Sequence, residues 1–162
     1  MTQIAGTDFD FLLGRWSVHQ HKLADVTDRD CTEWVDFDSV SEVRPVLGGA
    51  GNVDTLVATL PDGRHFEGLT LRLYDPGADL WRIWWSSTTV PGRLDPSVEG
   101  RFRDGRGVFV GDDEIGGRPA RVRYLWSAIT PTSARWEQDF SFDGGATWDP
   151  VNWIMTLTRR TG

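Results

Sequence analysis

The chain has 162 residues, among them nine tryptophans, 18 glycines and one cysteine, and its formal net charge is −7. This charge argues against nucleic-acid binding, which needs a basic patch, and against docking on an anionic membrane surface. The single Cys31 cannot form an internal disulfide, residues 1–8 contain no signal-peptide pattern, and no apolar run is long enough to span a membrane. We therefore expect a cytoplasmic protein with one domain over residues 1–162.

Short stretches of alternating apolar and polar residues, separated by turn residues, follow one another along the chain. This pattern predicts an all-β fold, a single antiparallel up-and-down barrel of about eight to ten strands. A short helical turn is expected before the strands, because Thr7 or Asp8 can cap residues 9–12 before Gly14 ends the turn. A barrel of this size can hold one small ligand.

The first predicted strand has Trp16 and Val18 on one face and His19 and His21 on the other. Two histidines at alternate positions of a strand point to the same side, as a metal site requires. Because Trp16 is expected to face the interior, the histidines are expected to face solvent. We therefore predict solvated histidines and no bound metal.

Glycines surround Asn52 and Asp54 in residues 48–54. No helix pattern and no lysine follow, so this segment is not a phosphate-binding loop. The composition favours a plain hairpin turn, with a mobile loop at the mouth of a cavity as the alternative.

His65 and Glu67 precede Leu69 at alternate positions, so they are expected to point into the barrel unless Gly68 forms a bulge. A histidine beside a carboxylate can act as a general base with its orienting partner, which makes these two residues the candidate catalytic pair. The interpretation that we favour is an inert, hydrated pair at the open rim.

A hairpin centred on Gly77 would place six apolar side chains on one inward face, pairing Leu69 with Trp85, Leu71 with Ile83 and Leu73 with Trp81. The same register places Arg72 opposite Arg82 on the outer face. Trp84 also faces outward, which suggests a partner surface such as that of a homodimer.

Two further hairpins follow in the sequence. The Asp104-Gly105 turn predicts that Phe102 faces Gly107 and that Phe109 faces Gly100. A turn at Thr130-Pro131 gives outward ion pairs and an inward aromatic face, with the pairs Arg121–Asp139, Arg123–Glu137, Val122–Gln138 and Tyr124–Trp136.

The inward positions of these hairpins predict the wall of a ligand cavity. The predicted ligand-binding residues are Trp81, Trp85, Tyr124, Trp126, Trp136 and Gln138. Gln138 is expected to orient the ligand, since an amide both donates and accepts hydrogen bonds.

Residues 141–148 match the Asp-box pattern S-x-D-x-G-x-T-W and resemble the repeated hairpin of sialidases. In those folds the box stabilises a turn and recurs in every blade of a propeller. A single copy in so short a chain predicts a stabilised turn and argues against glycosidase activity.

Gly14 and Trp16 on the first strand, together with an inward Arg159 on the last, resemble the signature of lipocalin-like barrels of the calycin group. The resemblance implies that Trp16 plugs the closed end of the barrel and that the Arg159 guanidinium lies across the indole. A longer set of matches resembles a family of small bacterial lipocalin-like barrels of unknown function, in residues 8–16, 51–54, 66–72, 135–138 and 152–155.

Haem-binding barrels of the nitrobindin type begin in a similar way, but they need a proximal histidine late in the chain. No histidine follows His65, so haem is not expected, and no other cofactor is implied.

Three functions are compatible with the predicted barrel. The leading one is binding of a small hydrophobic or aromatic metabolite in the barrel, which is not an enzymatic role. The second is a cofactor-independent enzyme, such as a cyclase or isomerase of a lipophilic intermediate, that works by positioning its substrate. The third is a structural or interaction protein whose barrel is filled by its own indoles. An open cavity would favour ligand binding, and a His–carboxylate pair inside that cavity would favour an enzyme. A dry, filled interior would favour a structural protein.

Overall fold

Ten antiparallel strands form a closed up-and-down barrel in the computed structural model, which describes residues 6–161. In chain order the strands are β1 (Gly14–Leu23), β2 (Trp34–Val46), β3 (Gly51–Thr59), β4 (His65–Asp75), β5 (Leu80–Ser87), β6 (Val98–Arg103), β7 (Arg106–Ile115), β8 (Arg118–Ser127), β9 (Ser133–Ser141) and β10 (Trp153–Arg159). Consecutive strands pair, and β10 pairs with β1 to close the barrel. The predicted all-β barrel is confirmed.

Two expectations reach beyond the described residues. The absence of a signal-peptide pattern concerns residues 1–8, and the expected domain covers residues 1–162, whereas residues 1–5 and 162 lie outside the description. Within residues 6–161, no helix is long and apolar enough to cross a membrane.

The segment before β1 closes one end of the barrel. It contains the 3-10 turn Asp10–Leu12, where a short helical turn was expected. No side chain caps this turn, so the predicted caps Thr7 and Asp8 are wrong; the N-cap is Phe9. The Phe9 ring is buried, with its centroid 5.0 Å from that of Trp81. Aromatic packing therefore seals this end.

The predicted signature on the first and last strands is confirmed. Trp16 is fully buried and pairs with Arg159 across β1 and β10, and the guanidinium carbon lies 4.3 Å from the indole centroid. Arg159 also donates to the carbonyl oxygens of Leu13, at 2.7 Å, and Phe11. Gly14 has φ +113°, and a Cβ there would lie 2.8 Å from Arg159 Nη1. Glycine is therefore required at this position for both its conformation and its size.

The register of β4 against β5 differs by one residue from the prediction. The turn holds one residue more than expected, with Asp79 at φ 52°, and Asp75 pairs with Leu80. A shift of one residue moves every side chain of a strand to the opposite face. The inward pairs are therefore Thr70–Trp85, Arg72–Ile83 and Tyr74–Trp81.

The same shift creates an apolar outer face on β4 and β5. Leu69 is exposed, and Leu71 pairs with the outward-facing Trp84. The outward position of Trp84 is as expected. A homodimer formed through this face stays a prediction.

The register of β8 against β9 differs by two residues from the prediction, because the turn that joins them is longer. An even shift keeps each side chain on its face, so the predicted inward residues stay inward. The observed pairs are Trp126–Trp136, Tyr124–Gln138, Val122–Phe140 and Arg123–Asp139. The hairpin between β6 and β7 is confirmed, with Phe102 opposite Gly107 and Gly100 opposite Phe109.

The Asp-box forms the stabilised turn that its sequence predicts. Ser141 Oγ donates to Asp143 Oδ1 at 2.8 Å, the Gly145 amide donates to Ser141 Oγ at 2.9 Å, and the Thr147 amide donates to Asp143 Oδ1 at 2.9 Å. Hydrogen bonds from Thr147 and then Ser141 lower the pKa of Asp143 to about 2. The carboxylate therefore organises the turn in its ionised form.

Acidification should weaken this turn. The pKa of Asp143 is lower in the folded chain, so its contribution to stability is present above the unfolded value of about 3.9 and is lost as the pH falls through about 2. A carboxyl-carbon NMR titration should give Asp143 a midpoint near the lower value. A midpoint at the unfolded value would contradict the observed hydrogen bonds.

Candidate functional site

An open cavity of about 460 Å³ occupies the barrel interior. Its volume falls within the range of about 300–1,000 Å³ that is typical of small-molecule pockets. The floor is formed by Leu12 of the N-terminal segment and by Trp126, and the mouth lies at the opposite end. The mouth is lined by loop and strand-end residues, including Val26, Thr27, Thr89, Val90, Arg93, Asp95 and Asp113.

Five of the six residues predicted to bind a ligand line this cavity: Trp85, Tyr124, Trp126, Trp136 and Gln138. Trp81 does not. It is buried in the N-terminal plug, where it packs against Phe9 and its indole N–H donates to Asp8 at 3.2 Å. Trp81 lies at the start of β5, whereas Ile83 and Trp85 farther along the inward face of this strand line the cavity, so facing inward was not enough to reach it.

Four rings form a continuous aromatic wall. The Trp153 ring is edge-on to both Trp85 and Trp136, at centroid distances of 6.1 and 5.5 Å, and Tyr124 lies 5.0 Å from Trp136. The Trp153 indole N–H donates to Gln20 Oε1 at 2.7 Å, which fixes the ring. Trp153 was missing from the predicted ligand residues, although its inward position follows from the alternation of the last strand.

A buried polar cluster lies near the floor. Asn52 and Asp54 on β3 face the interior beside Arg72 on β4, and all three are more than nine-tenths buried. Arg72 Nη1 donates to Asn52 Oδ1 at 2.9 Å and to Asp54 Oδ2 at 2.6 Å. Two expectations are wrong here: Asn52 and Asp54 belong to a strand and not to a turn, and Arg72 is inside the barrel and not opposite Arg82.

The guanidinium of Arg72 is incompletely paired. Its centre lies 5.3 Å from the Phe9 ring and 5.9 Å from the Trp126 ring, so aromatic faces support it. Arg72 Nε is buried and has no hydrogen-bond partner among the described residues. Leaving a buried donor unpaired costs about 1–3 kcal/mol, so this N–H marks a position where a ligand acceptor would be stabilising.

Titratable side chains lie higher in the cavity. Burial and then the charge of Asp113 raise the pKa of Asp95 at the mouth. Burial, followed by the charges of Asp95 and Asp113, raises the pKa of Tyr124. The Tyr124 hydroxyl therefore stays protonated at neutral pH and can donate to a ligand. Burial lowers the pKa of Lys22, whose ammonium lies 5.1 Å from the centre of the Trp153 ring.

The candidate catalytic pair lies outside the cavity. His65 Nε2 is 3.6 Å from Glu67 Oε2, and their side chains are 63% and 49% exposed on the outer face of β4. The expectation that they point into the barrel is wrong, because the one-residue shift of β4 reverses their face. A catalytic role in the cavity is therefore not available to them.

The two histidines of β1 face outward as expected. His19 Nδ1 is 2.8 Å from Asp38 Oδ1, and both His19 and His21 contact Asp36. Hydrogen bonds to Asp38 and then Asp36 raise the pKa of His19. Within residues 6–161, no group of three or more His, Cys, Asp or Glu side chains is arranged to hold a metal ion. The absence of a bound metal stays a prediction.

Solved structures with similar folds are small β-barrels. One is a redesigned β-barrel, with 13% sequence identity and a TM-score of 0.51, and the match covers 99% of this chain and 100% of that chain. Another is EF1p2_mFAP2b bound to DFHBI, with 13% identity and a TM-score of 0.52, and the match covers 96% of this chain and 99% of that chain. A third is the S-type phycobiliprotein lyase CPES from Guillardia theta, with 10% identity and a TM-score of 0.60, and the match covers 99% of each chain.

At these identities the likeness concerns the fold alone. No family model and no curated protein match the sequence. The resemblance to a bacterial barrel family of unknown function therefore stays a hypothesis.

Proposed function

We propose that the protein binds a small hydrophobic or aromatic molecule in the barrel cavity. The observation that carries the proposal is an open cavity of about 460 Å³ with an aromatic wall and one buried, unpaired N–H, that of Arg72 Nε, near its floor. The same fold holds DFHBI in one of the similar structures, which supports small-molecule binding in general.

The aromatic wall binds the apolar body of the ligand, and the polar side chains orient it. The rings of Trp85, Trp136 and Trp153 contact the apolar body of the ligand, and aromatic pairs add about 0.5–1.5 kcal/mol beyond simple burial. Gln138 Nε2 donates to Asn152 Oδ1 at 3.0 Å, which holds the amide in place and leaves Oε1 to accept from a ligand donor. Gln138 thus orients the ligand through this acceptor, whereas the sequence argument counted on both the donor and the acceptor of the amide.

A neutral naphthalene dye, N-phenylnaphthylamine, should bind saturably, quench tryptophan fluorescence and raise the melting temperature, since a ligand that binds only the folded state stabilises it. Trp136→Ala should weaken the dye affinity about tenfold, because it removes a wall ring. Trp84→Ala is the matched control on the outer face and should change it less than about twofold. Equal losses, or no saturable binding, would contradict the proposal.

An enzyme on the same barrel is the second candidate, and a specific observation favours it. Asp95 and Tyr124 both line the cavity, and Asp95 has a raised pKa, which suits a carboxyl group that exchanges protons with a substrate. Mass spectrometry of the bound molecule after incubation separates the candidates, because a carrier returns it unchanged and a cyclase or isomerase alters its fragmentation.

A structural protein with a filled barrel is the least supported candidate. The indoles do not fill the interior, since the cavity extends from Leu12 at the floor to the mouth.

A further inference from the structure

The unused edge of Arg72 gives the cavity floor a specific chemistry. Both hydrogen bonds that Arg72 makes with described residues leave from Nη1, to Asn52 and Asp54. Nε is buried without a partner, and with Nη2 it forms one edge of the planar guanidinium. Two N–H groups on such an edge point in parallel and match the lone pairs of a planar oxygen acceptor.

The negative charges near the Nε–Nη2 edge of Arg72 disfavour binding of an anion there. Asp54 already contacts the guanidinium at 2.6 Å, so the buried pair is neutral as a unit. A ligand carboxylate at the free edge would place a second negative charge beside Asp54 in a poorly solvated site. Five acidic and three basic side chains line the whole cavity: Asp54, Asp95, Asp112, Asp113 and Glu114 against Lys22, Arg72 and Arg93.

We infer that the Nε edge of Arg72 binds the carbonyl oxygen of an uncharged, flat, apolar ligand, such as an aryl ketone, quinone or lactone, and that the cavity disfavours carboxylates. A carbonyl oxygen accepts the unpaired hydrogen bond and adds no charge to the Arg72–Asp54 pair. Its apolar body then extends along the aromatic wall. This inference rests on the proposed function and specifies the class of ligand.

Three naphthalenes substituted at the same ring position separate the chemistries: ethylnaphthalene, acetylnaphthalene and naphthoate. They share one apolar body and differ in having no acceptor, a neutral carbonyl or a carboxylate. Isothermal titration calorimetry at neutral pH should give acetylnaphthalene an affinity about tenfold higher than ethylnaphthalene, since a hydrogen bond to a charged donor is gained. Naphthoate should bind more weakly than acetylnaphthalene.

Arg72→Lys is the conservative variant, because an ammonium keeps the charge beside Asp54 and removes the planar Nε–Nη2 edge. It should equalise the affinities for acetylnaphthalene and ethylnaphthalene and leave that for ethylnaphthalene within about twofold. If the lysine variant does not fold, Arg72→Met combined with Asp54→Asn replaces it, because this double variant removes both charges. It should also bind acetylnaphthalene and ethylnaphthalene with equal affinity. Arg82→Lys, in an ion pair on the outer face, is the control and should change none of the three affinities.

The outcomes distinguish this inference from the proposed function. If ethylnaphthalene and acetylnaphthalene bind equally to the unmodified protein, the cavity binds apolar molecules and the carbonyl inference is overturned. If naphthoate binds most tightly, Arg72 serves as an anion receptor and the inference is also overturned. If none of the three binds, the proposed function itself fails.

Discussion

Replacing Trp16 with alanine should lower the free energy of unfolding by about 3–5 kcal/mol, the loss expected for a buried large aromatic residue. Trp16 is fully buried, its indole N–H donates to the Leu12 carbonyl at 2.8 Å, and Arg159 covers its face at 4.3 Å. The substitution removes all of these contacts and leaves a void at the closed end. Urea denaturation followed by circular dichroism measures the change.

Trp34→Ala is the matched control for this prediction. Trp34 is 37% exposed and stacks on His21 on the outer surface, at a centroid distance of 4.2 Å. Its loss should cost about 1 kcal/mol or less. A loss of that small size for Trp16→Ala would mean that the indole does not close the barrel.

Replacing Asp54 with asparagine should also cost about 3–5 kcal/mol, because it leaves the buried Arg72 without its counter-charge. The side chains of both residues are more than nine-tenths buried and lie 2.6 Å apart. Adding Arg72→Met to Asp54→Asn removes the stranded charge, so the double variant should recover most of the lost stability. A double-mutant cycle from urea denaturation measures this coupling.

An exposed ion pair provides the comparison. Arg15 and Glu42 lie 3.8 Å apart, with side chains 66% and 50% exposed. Glu42→Gln should therefore change the stability by about 1 kcal/mol at most. If Asp54→Asn costs no more than Glu42→Gln, the Arg72 charge is not buried as the structure indicates.

The barrel fold was predictable because its strongest sequence signals do not require the exact length of the longer loops. The Asp104-Gly105 hairpin follows from a short turn signal between two alternating strands, and the contact between Trp16 and Arg159 was implied by the resemblance to lipocalin-like barrels. Loop length was harder to read from the sequence. An error of two residues at the turn after β8 left the cavity wall intact, whereas an error of one residue after Asp75 reversed a whole strand.

The floor of the cavity was missed for a physical reason. An arginine among three leucines is expected to face water, since burying an unpaired charge is costly. Arg72 is buried because Asn52 and Asp54 lie next to it on β3, and their glycine-rich surroundings resembled a turn. Their alternate spacing, opposite the Thr70 and Arg72 positions, was the signal that could have identified the cluster.

The most direct test of the central claim locates a bound molecule inside the barrel. Nuclear Overhauser contacts should be measured between N-phenylnaphthylamine and the tryptophan side chains of the isotope-labelled protein. The cavity account predicts contacts from the dye to Trp85, Trp136 and Trp153, which line the cavity. Contacts confined to Trp84 and the leucines of the outer face would contradict it.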